Sequence, residues 1–434
     1  MKLLPDRWFA GATARLGWRL SVALAITVLQ IALALLATGG DRRSRIPDIP
    51  PTLQARARLI ANGTHPLEKL CAWDCLWYWH IAEEGYRSTP PPVPQSPDQA
   101  NVAFFPATPL AARAVRTITG VTWPMALLLA SWLAAVGFWW YVLALLAGWG
   151  IRPWVTAFAA FAILAHPASL FLVAGYSESL FLMALVGFVY WSESARHNES
   201  AFGVATAIAA LHGFTLSATR IVGIPLAGYP AVRTIVLSWL TRRMPGRTLG
   251  RDFILSTVAA AGGFAFLVFC QLKFGQWNLY FETQRIGWGL SADYLLPLHL
   301  FSYRWSGRNA RVVMLCALAL LAVIAAEVVL RQRSREHSAE RWSARLSALC
   351  LAVGLFYISA SATAGANFGS IVRYSLPVLT ILALIAADLW SLARLPRRVE
   401  WAIAAALFIA FSFSFAYWGF FEMAVRHFRG FFFA

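Results

Sequence analysis

Charge is scarce in this 434-residue chain. Asp, Glu, Lys and Arg make up 13% of it, about half the share of an ordinary soluble domain. Hydrophobic residues fill 59% and mean hydropathy is +0.60, which excludes a water-bounded globule. At roughly 150 residues per soluble domain the length would suggest about three domains. Apolar runs recur almost end to end, so one polytopic membrane domain, 1–434, is expected instead. The five cysteines are odd in number and exclude a full disulfide framework. Cys270, Cys316 and Cys350 lie in apolar runs, where a thiol acts as a small hydrophobe. Cys71 and Cys75 are expected to pack rather than to pair. Also missing are an HExxH motif, a CxxC pair with a partner and a glycine-rich phosphate loop. No cofactor or metal is expected: Glu83, Glu84 and Asp98, near Asp74, would make a poor divalent-ion site.

What charge there is has a sign. The net +17 comes from 37 basic against 20 acidic residues, a balance that in a soluble protein would suggest nucleic acid. The arginines argue against such a partner, because they gather in short segments between apolar runs: Arg233, Arg242, Arg243, Arg247 and Arg251; Arg331, Arg333, Arg335, Arg341 and Arg345; Arg394, Arg397 and Arg398. This is the distribution that the positive-inside rule gives cytoplasmic loops.

The run 20–37 follows Lys2, Arg7, Arg15 and Arg19 and is too long for a signal-peptide core, so it reads as a first span leaving the cytoplasm. Further spans are expected at 121–147, 153–173, 177–193, 200–217, 220–240, 253–272, 311–330, 346–360, 372–392 and 400–420. That makes an all-α bundle of about eleven (range about 10–13). Alternation puts all three arginine clusters in the cytoplasm. It puts outside a long first loop (39–120) with interfacial helices, a second loop (273–310), the turns near Tyr176, Arg220 and 361–372, and a basic aromatic tail, RHFRGFFFA, read as an interfacial anchor.

The outer segments hold the polar residues that could carry chemistry. Asp74 sits among Trp73, Trp77, Tyr78 and Trp79; these can be an aromatic belt, or the apolar faces of a sugar site whose carboxylate takes a hydroxyl proton. Tyr176 and Glu178 lie in YSES between two apolar runs, and an acid beside a span is a functional candidate by default. His166 precedes Pro167 at a kink and is balanced between an internal partner and ligand contact. Arg220 and Arg373 stand at outer ends of spans, against the positive-inside bias, where a guanidinium could hold a phosphate with parallel charge-assisted bonds. Gln284 and Trp288, around Arg285, are candidates for sugar or phosphate contact in the second loop.

In chain order, WDCLWYWHIAEEGY, AFFPATPL, HPASLFLVAGYSESLF and SATRIVGIP resemble the PIG-V-like family, whose eukaryotic members are the second mannosyltransferase of GPI-anchor assembly. The match spans most of 73–225 and recurs more weakly in QRIGWG (284–289) and VRYSLP (372–377). The resemblance implies a GT-C glycosyltransferase, a polytopic enzyme taking a polyprenyl-phosphate sugar, here mannose, with its acid in the first outer loop; by position that acid is Asp74. It also implies an acceptor hydroxyl on a glycan or lipid-linked glycan. The expected setting is the inner membrane of a bacterium, with the N-terminus cytoplasmic and the site outside. The rival reading is a lipid-glycan flippase or transporter, which should carry its polar groups in mid-span.

Overall fold

The computed structural model describes residues 12–38, 50–63, 65–88, 101–197, 203–242, 246–299, 302–303, 307–333, 339–393 and 395–428. Among these residues every regular element is helical. Seven helices are long and apolar enough to cross a bilayer: Leu16–Ala37, Trp123–Gly148, Thr248–Phe274, Arg308–Gln332, Ala339–Ala366, Ile371–Leu392 and Arg397–Phe428.

The expectation of about eleven spans counted four further segments, each of which is short, broken or polar at one end. The 153–173 run is a 12-residue helix, Pro153–Leu164, followed by a 3-10 turn, Pro167–Leu172; Pro167 lacks the N–H that an α-helix through it would need. Glu178–His197 is 20 residues long but ends in the polar run SESARH. Val204–Thr219 has 16 residues. The 220–240 run divides at Gly228 into Gly223–Leu226 and Tyr229–Thr241.

Among the described residues of 39–120, three α-helices are formed, Pro51–Asn62, Asp74–Glu84 (α1) and Ala107–Thr119. In the last, Thr108, Pro109 and Ala112 are buried while Leu110 and Ile118 are exposed, and the helix stops at Gly120 in the left-handed conformation. The bundle is knit by Trp123–Gly148 against Glu178–His197 (α2), α2 against Val204–Thr219 (α3), α3 against Gly246–Phe274 (α4), and Ala339–Thr363 (α5) against Ile371–Leu392 (α6). The α3–α4 contact is made by small residues, as in other lipid-embedded helix pairs. A side chain at Gly262 would run into the Phe214 carbonyl, and Ser217 Oγ donates across to the Ala259 carbonyl at 2.6 Å.

One end of the bundle is held by buried ion pairs that composition does not reveal. Arg345 reaches Glu327 at 2.8 Å and Asp388 at 2.8 Å, and Arg341 also holds Asp388. Arg233 binds Glu193 at 3.0 Å, and Arg196 and Arg251 converge on Asp252. The arginine clusters read as the charge of cytoplasmic loops; in the structure Arg233, Arg251, Arg341 and Arg345 are also internal counterions of buried acids.

Candidate active site

The other end of the same helices carries a second set of acids and arginines. From Arg345 to Thr363 along α5 is roughly 27 Å at 1.5 Å per residue, and from Arg373 to Asp388 along α6 roughly 22 Å. Asp74 opens α1, and its acidic side chain suits the positive end of the helix dipole. Trp73 before it has φ 52, a costly angle for a bulky residue, and its indole cannot cap the helix by accepting a hydrogen bond. Tyr176 takes that place: the Asp74 amide donates to its hydroxyl at 3.3 Å. Cys71 and Cys75, expected to pack separately, form a disulfide with Cα atoms 5.2 Å apart. Cys71 precedes the helix in extended conformation and Cys75 lies in its first turn.

Gly175, at φ 76, turns the chain from the 3-10 segment into YSES. Glu178 then opens α2 with a fully buried side chain. Arg220 follows the last residue of α3, and Arg373 lies in the first turn of α6. The four charges meet. Glu178 Oε1 accepts from Arg220 Nη2 at 2.8 Å and from Arg373 Nε at 2.8 Å, with Arg373 Nη2 at 2.7 Å. The remaining arm of Arg373, Nη1, donates to Asp74 Oδ2 at 2.6 Å. Its guanidinium carbon lies 4.9 and 4.7 Å from the ring centres of Phe171 and Tyr176. Two acids and two arginines leave the quartet neutral. Among the described residues Asp74 Oδ1 accepts no hydrogen bond, and Arg220 Nε and Nη1 donate none.

A cavity of about 890 Å³ opens onto this quartet. It is bounded by Asp74, Arg220 and Arg373, and by the expected Trp73, Tyr78, Tyr176, Gln284 and Trp288. Three other expected contacts do not reach it. Glu178 is sealed behind the arginines it holds. Trp77 stands behind the wall, 5.8 Å edge-on to Trp288. His166 is inside the bundle: its Nδ1 accepts from the Ala168 amide at 3.1 Å, capping the 3-10 turn, and its Nε2 meets Ser375 Oγ at 3.1 Å, so the internal-partner reading describes its surroundings.

His427 lines the cavity unexpectedly. Its ring packs on Phe171 and Tyr176, and its carbonyl accepts from Trp73 Nε1 at 3.4 Å. The described part of the tail, to Phe428, therefore folds onto the site; residues 429–434 of the expected anchor lie outside the described residues. Tyr280 and Tyr374 also line the wall; Tyr374 lies within VRYSLP, whereas no motif marked Tyr280 in the sequence.

Burial pushes the Tyr78 and Tyr176 phenols well above the ordinary tyrosine range, with Asp74 adding to both shifts; burial likewise raises Tyr280. These hydroxyls stay protonated at neutral pH and can donate or accept, but do not serve as bases. Of the carboxylates on the cavity wall, Glu282 is paired through Oε2 with Arg285 at 2.6 Å, and Asp74 is the one joined to the quartet, with Oδ1 open. Glu83 and Glu84 turn away to Arg56. Asp98 lies outside the described residues.

No protein-family model and no curated protein matches the chain. Among solved structures it is similar to ArnT from Cupriavidus metallidurans bound to undecaprenyl phosphate, with TM-score 0.49 and 17% identity over 90% of this chain. It is also similar to the apo state of that protein, with TM-score 0.44 and 16% identity over 91% of this chain. The chain spans 64% of the length of each.

Proposed function

We propose that the chain is an integral-membrane glycosyltransferase of the GT-C type that moves a sugar, mannose by its resemblance to the PIG-V-like family, from a polyprenyl phosphate to a hydroxyl of a glycan or lipid-linked acceptor. The observation that carries this reading is the meeting of Asp74, Glu178, Arg220 and Arg373, drawn from four separate elements, beside one aromatic-walled cavity. A flippase would place its polar groups at broken helices near mid-bilayer; here the cavity's charged groups stand at helix ends.

The chemistry follows from the open atoms. Asp74 Oδ1 takes the acceptor's hydroxyl proton while Oδ2 stays fixed by Arg373. The freed oxygen attacks the anomeric carbon from the side opposite the phosphate, so the configuration inverts. The bond between carbon and phosphate oxygen breaks with its electron pair going to the phosphate, where Arg220 and Arg373 meet the growing charge. Glu178 holds both guanidiniums in register without touching substrate. Tyr78, Phe104 and Trp288 offer apolar faces to sugar rings.

The test is transfer by the purified protein, using a panel of polyprenyl-phosphate sugars and acceptors. Asp74→Asn should lower turnover by about 10²–10⁴-fold, the usual contribution of a general base, while donor binding stays nearly intact. Retention of more than about a tenth of wild-type turnover would remove Asp74 from that role. The same panel identifies the sugar; turnover with another polyprenyl-phosphate sugar and none with mannose would keep the reaction class and change the donor.

A further inference from the structure

The proposed base stands inside a covalent ring: Cys71-Ala72-Trp73-Asp74-Cys75 is closed by the disulfide between its first and last residues. We propose that this bridge is a positioning device for Asp74, an inference that rests on the reading of Asp74 as the base. Four observations point to it.

Trp73, the middle residue of the ring, is held at φ 52, a conformation that an unconstrained chain would leave. That angle sets the direction in which the Asp74 carbon skeleton departs from the helix start. The side chain before the helix makes no capping bond, so the ring and the Tyr176 hydroxyl supply the restraint that a cap would ordinarily give.

Both sulfurs are buried, Cys71 at 1% and Cys75 at 0% exposure, which suits a fixed strut better than a redox-exchanging pair. The bridge is also keyed to the opposite wall. Gly175 packs so closely on it that a side chain there would come within 2.6 Å of Cys75 Sγ. The next residue, Tyr176, accepts from the Asp74 amide and packs its ring under Arg373. The base, the guanidinium it touches and the turn that opens α2 are thus referenced to one disulfide.

The bridge is not a catalytic group, since neither sulfur lines the cavity. Its effect passes through Asp74, and displacing a reacting group by about 1 Å can cost about 10²-fold in rate.

The experiment uses the purified full-length chain, as wild type and as the Cys71→Ser/Cys75→Ser double variant. Alkylation of the denatured, unreduced wild type counts the bridge first: three modified cysteines are expected from Cys270, Cys316 and Cys350, and five would overturn the proposal. Hydrogen exchange followed by mass spectrometry then reads the site without any substrate. The variant should exchange roughly tenfold or more faster over 72–79, with 178–197 and 371–392 unchanged. Turnover should fall about 10- to 100-fold while KM for the donor moves less than about threefold. Unchanged exchange over 72–79, a uniform rise along the whole chain, or a loss confined to KM would each overturn the positioning role. If the wild type transfers no sugar, the functional reading fails, and the exchange data still decide whether the bridge fixes Asp74.

Discussion

Arg373 shows what a planar side chain can do that a point charge cannot. Its Nη1 holds Asp74 while Nε and Nη2 hold Glu178, and one ammonium cannot span both carboxylates with that fork. Arg220 keeps Nε and Nη1 for the cavity. Arg220→Lys and Arg373→Lys should each lower turnover by about one to two orders of magnitude, the worth of a well-placed donor at a developing oxyanion, and activity should persist in EDTA. Loss of activity to the chelator with both lysine variants active would reassign Asp74 as a metal ligand. Glu178 gives a complementary prediction. Its side chain is fully buried and pairs with two arginines of 14% and 12% exposure, so Glu178→Gln leaves guanidiniums short of a counterion. The expected cost is about 3–5 kcal/mol of stability, read as a lower midpoint of thermal unfolding and partly recovered by added polyprenyl phosphate. An unchanged midpoint would mean that Glu178 does not anchor the pair.

Among elements, the segment after Leu279–Gly287 is the one the sequence left least defined. Leu290, Ser291, Ala292 and Tyr294 border the cavity, and the segment is tied to α5 by the Asp293 amide donating to the Ser361 carbonyl at 2.8 Å. Asp293 is the knot. Its Oδ2 accepts from Tyr303 at 2.7 Å and lies 3.0 Å from His299 Nδ1, and Oδ1 accepts from the Leu295 amide at 2.9 Å. The Tyr303 hydroxyl, followed by His299 and the Leu295 amide, holds the Asp293 carboxyl below its ordinary 3.8. A depressed acid contributes stability that is present above its unfolded value and lost as pH falls through the folded one. Protection over 288–296, taken as exchange relative to an unstructured peptide at the same pH, should therefore hold at neutral and mildly acidic pH and fall only below about pH 4. Asp293→Asn should exchange quickly across the whole range; a variant as slow as wild type would show that the carboxylate is not what ties the segment down.

For the whole molecule the prediction concerns sidedness. Site and ion-pair networks occupy opposite ends of the same helices, and the positive-inside rule puts the arginine-rich end in the cytoplasm. In a background lacking Cys270, Cys316 and Cys350, single cysteines at the exposed Trp277 and Arg242 divide the two ends. Trp277→Cys should react with a membrane-impermeant thiol reagent from outside, and Arg242→Cys only after the membrane is opened. The reverse pattern would move the site to the cytoplasm.

The sequence by itself determined that the chain is helical and lipid-embedded, because hydropathy and charge act locally along a helix and need no partner to be read. It also singled out Asp74, by its aromatic neighbours and its place in the motif order, and Arg220 and Arg373, since charge at the outer end of an apolar run is conspicuous wherever it occurs. It did not show how long the elements are where neighbours decide it: among the described residues four of the expected spans are short, broken or end in polar runs. It gave no sign that His427 would return to Tyr176 from 251 positions away, or that Glu178 would be sealed behind its arginines. Nor did it show that Cys71 and Cys75 would close a ring around Asp74. Those outcomes belong to the tertiary structure, because whether a polar group meets substrate, solvent or a counterion is decided by what packs against it.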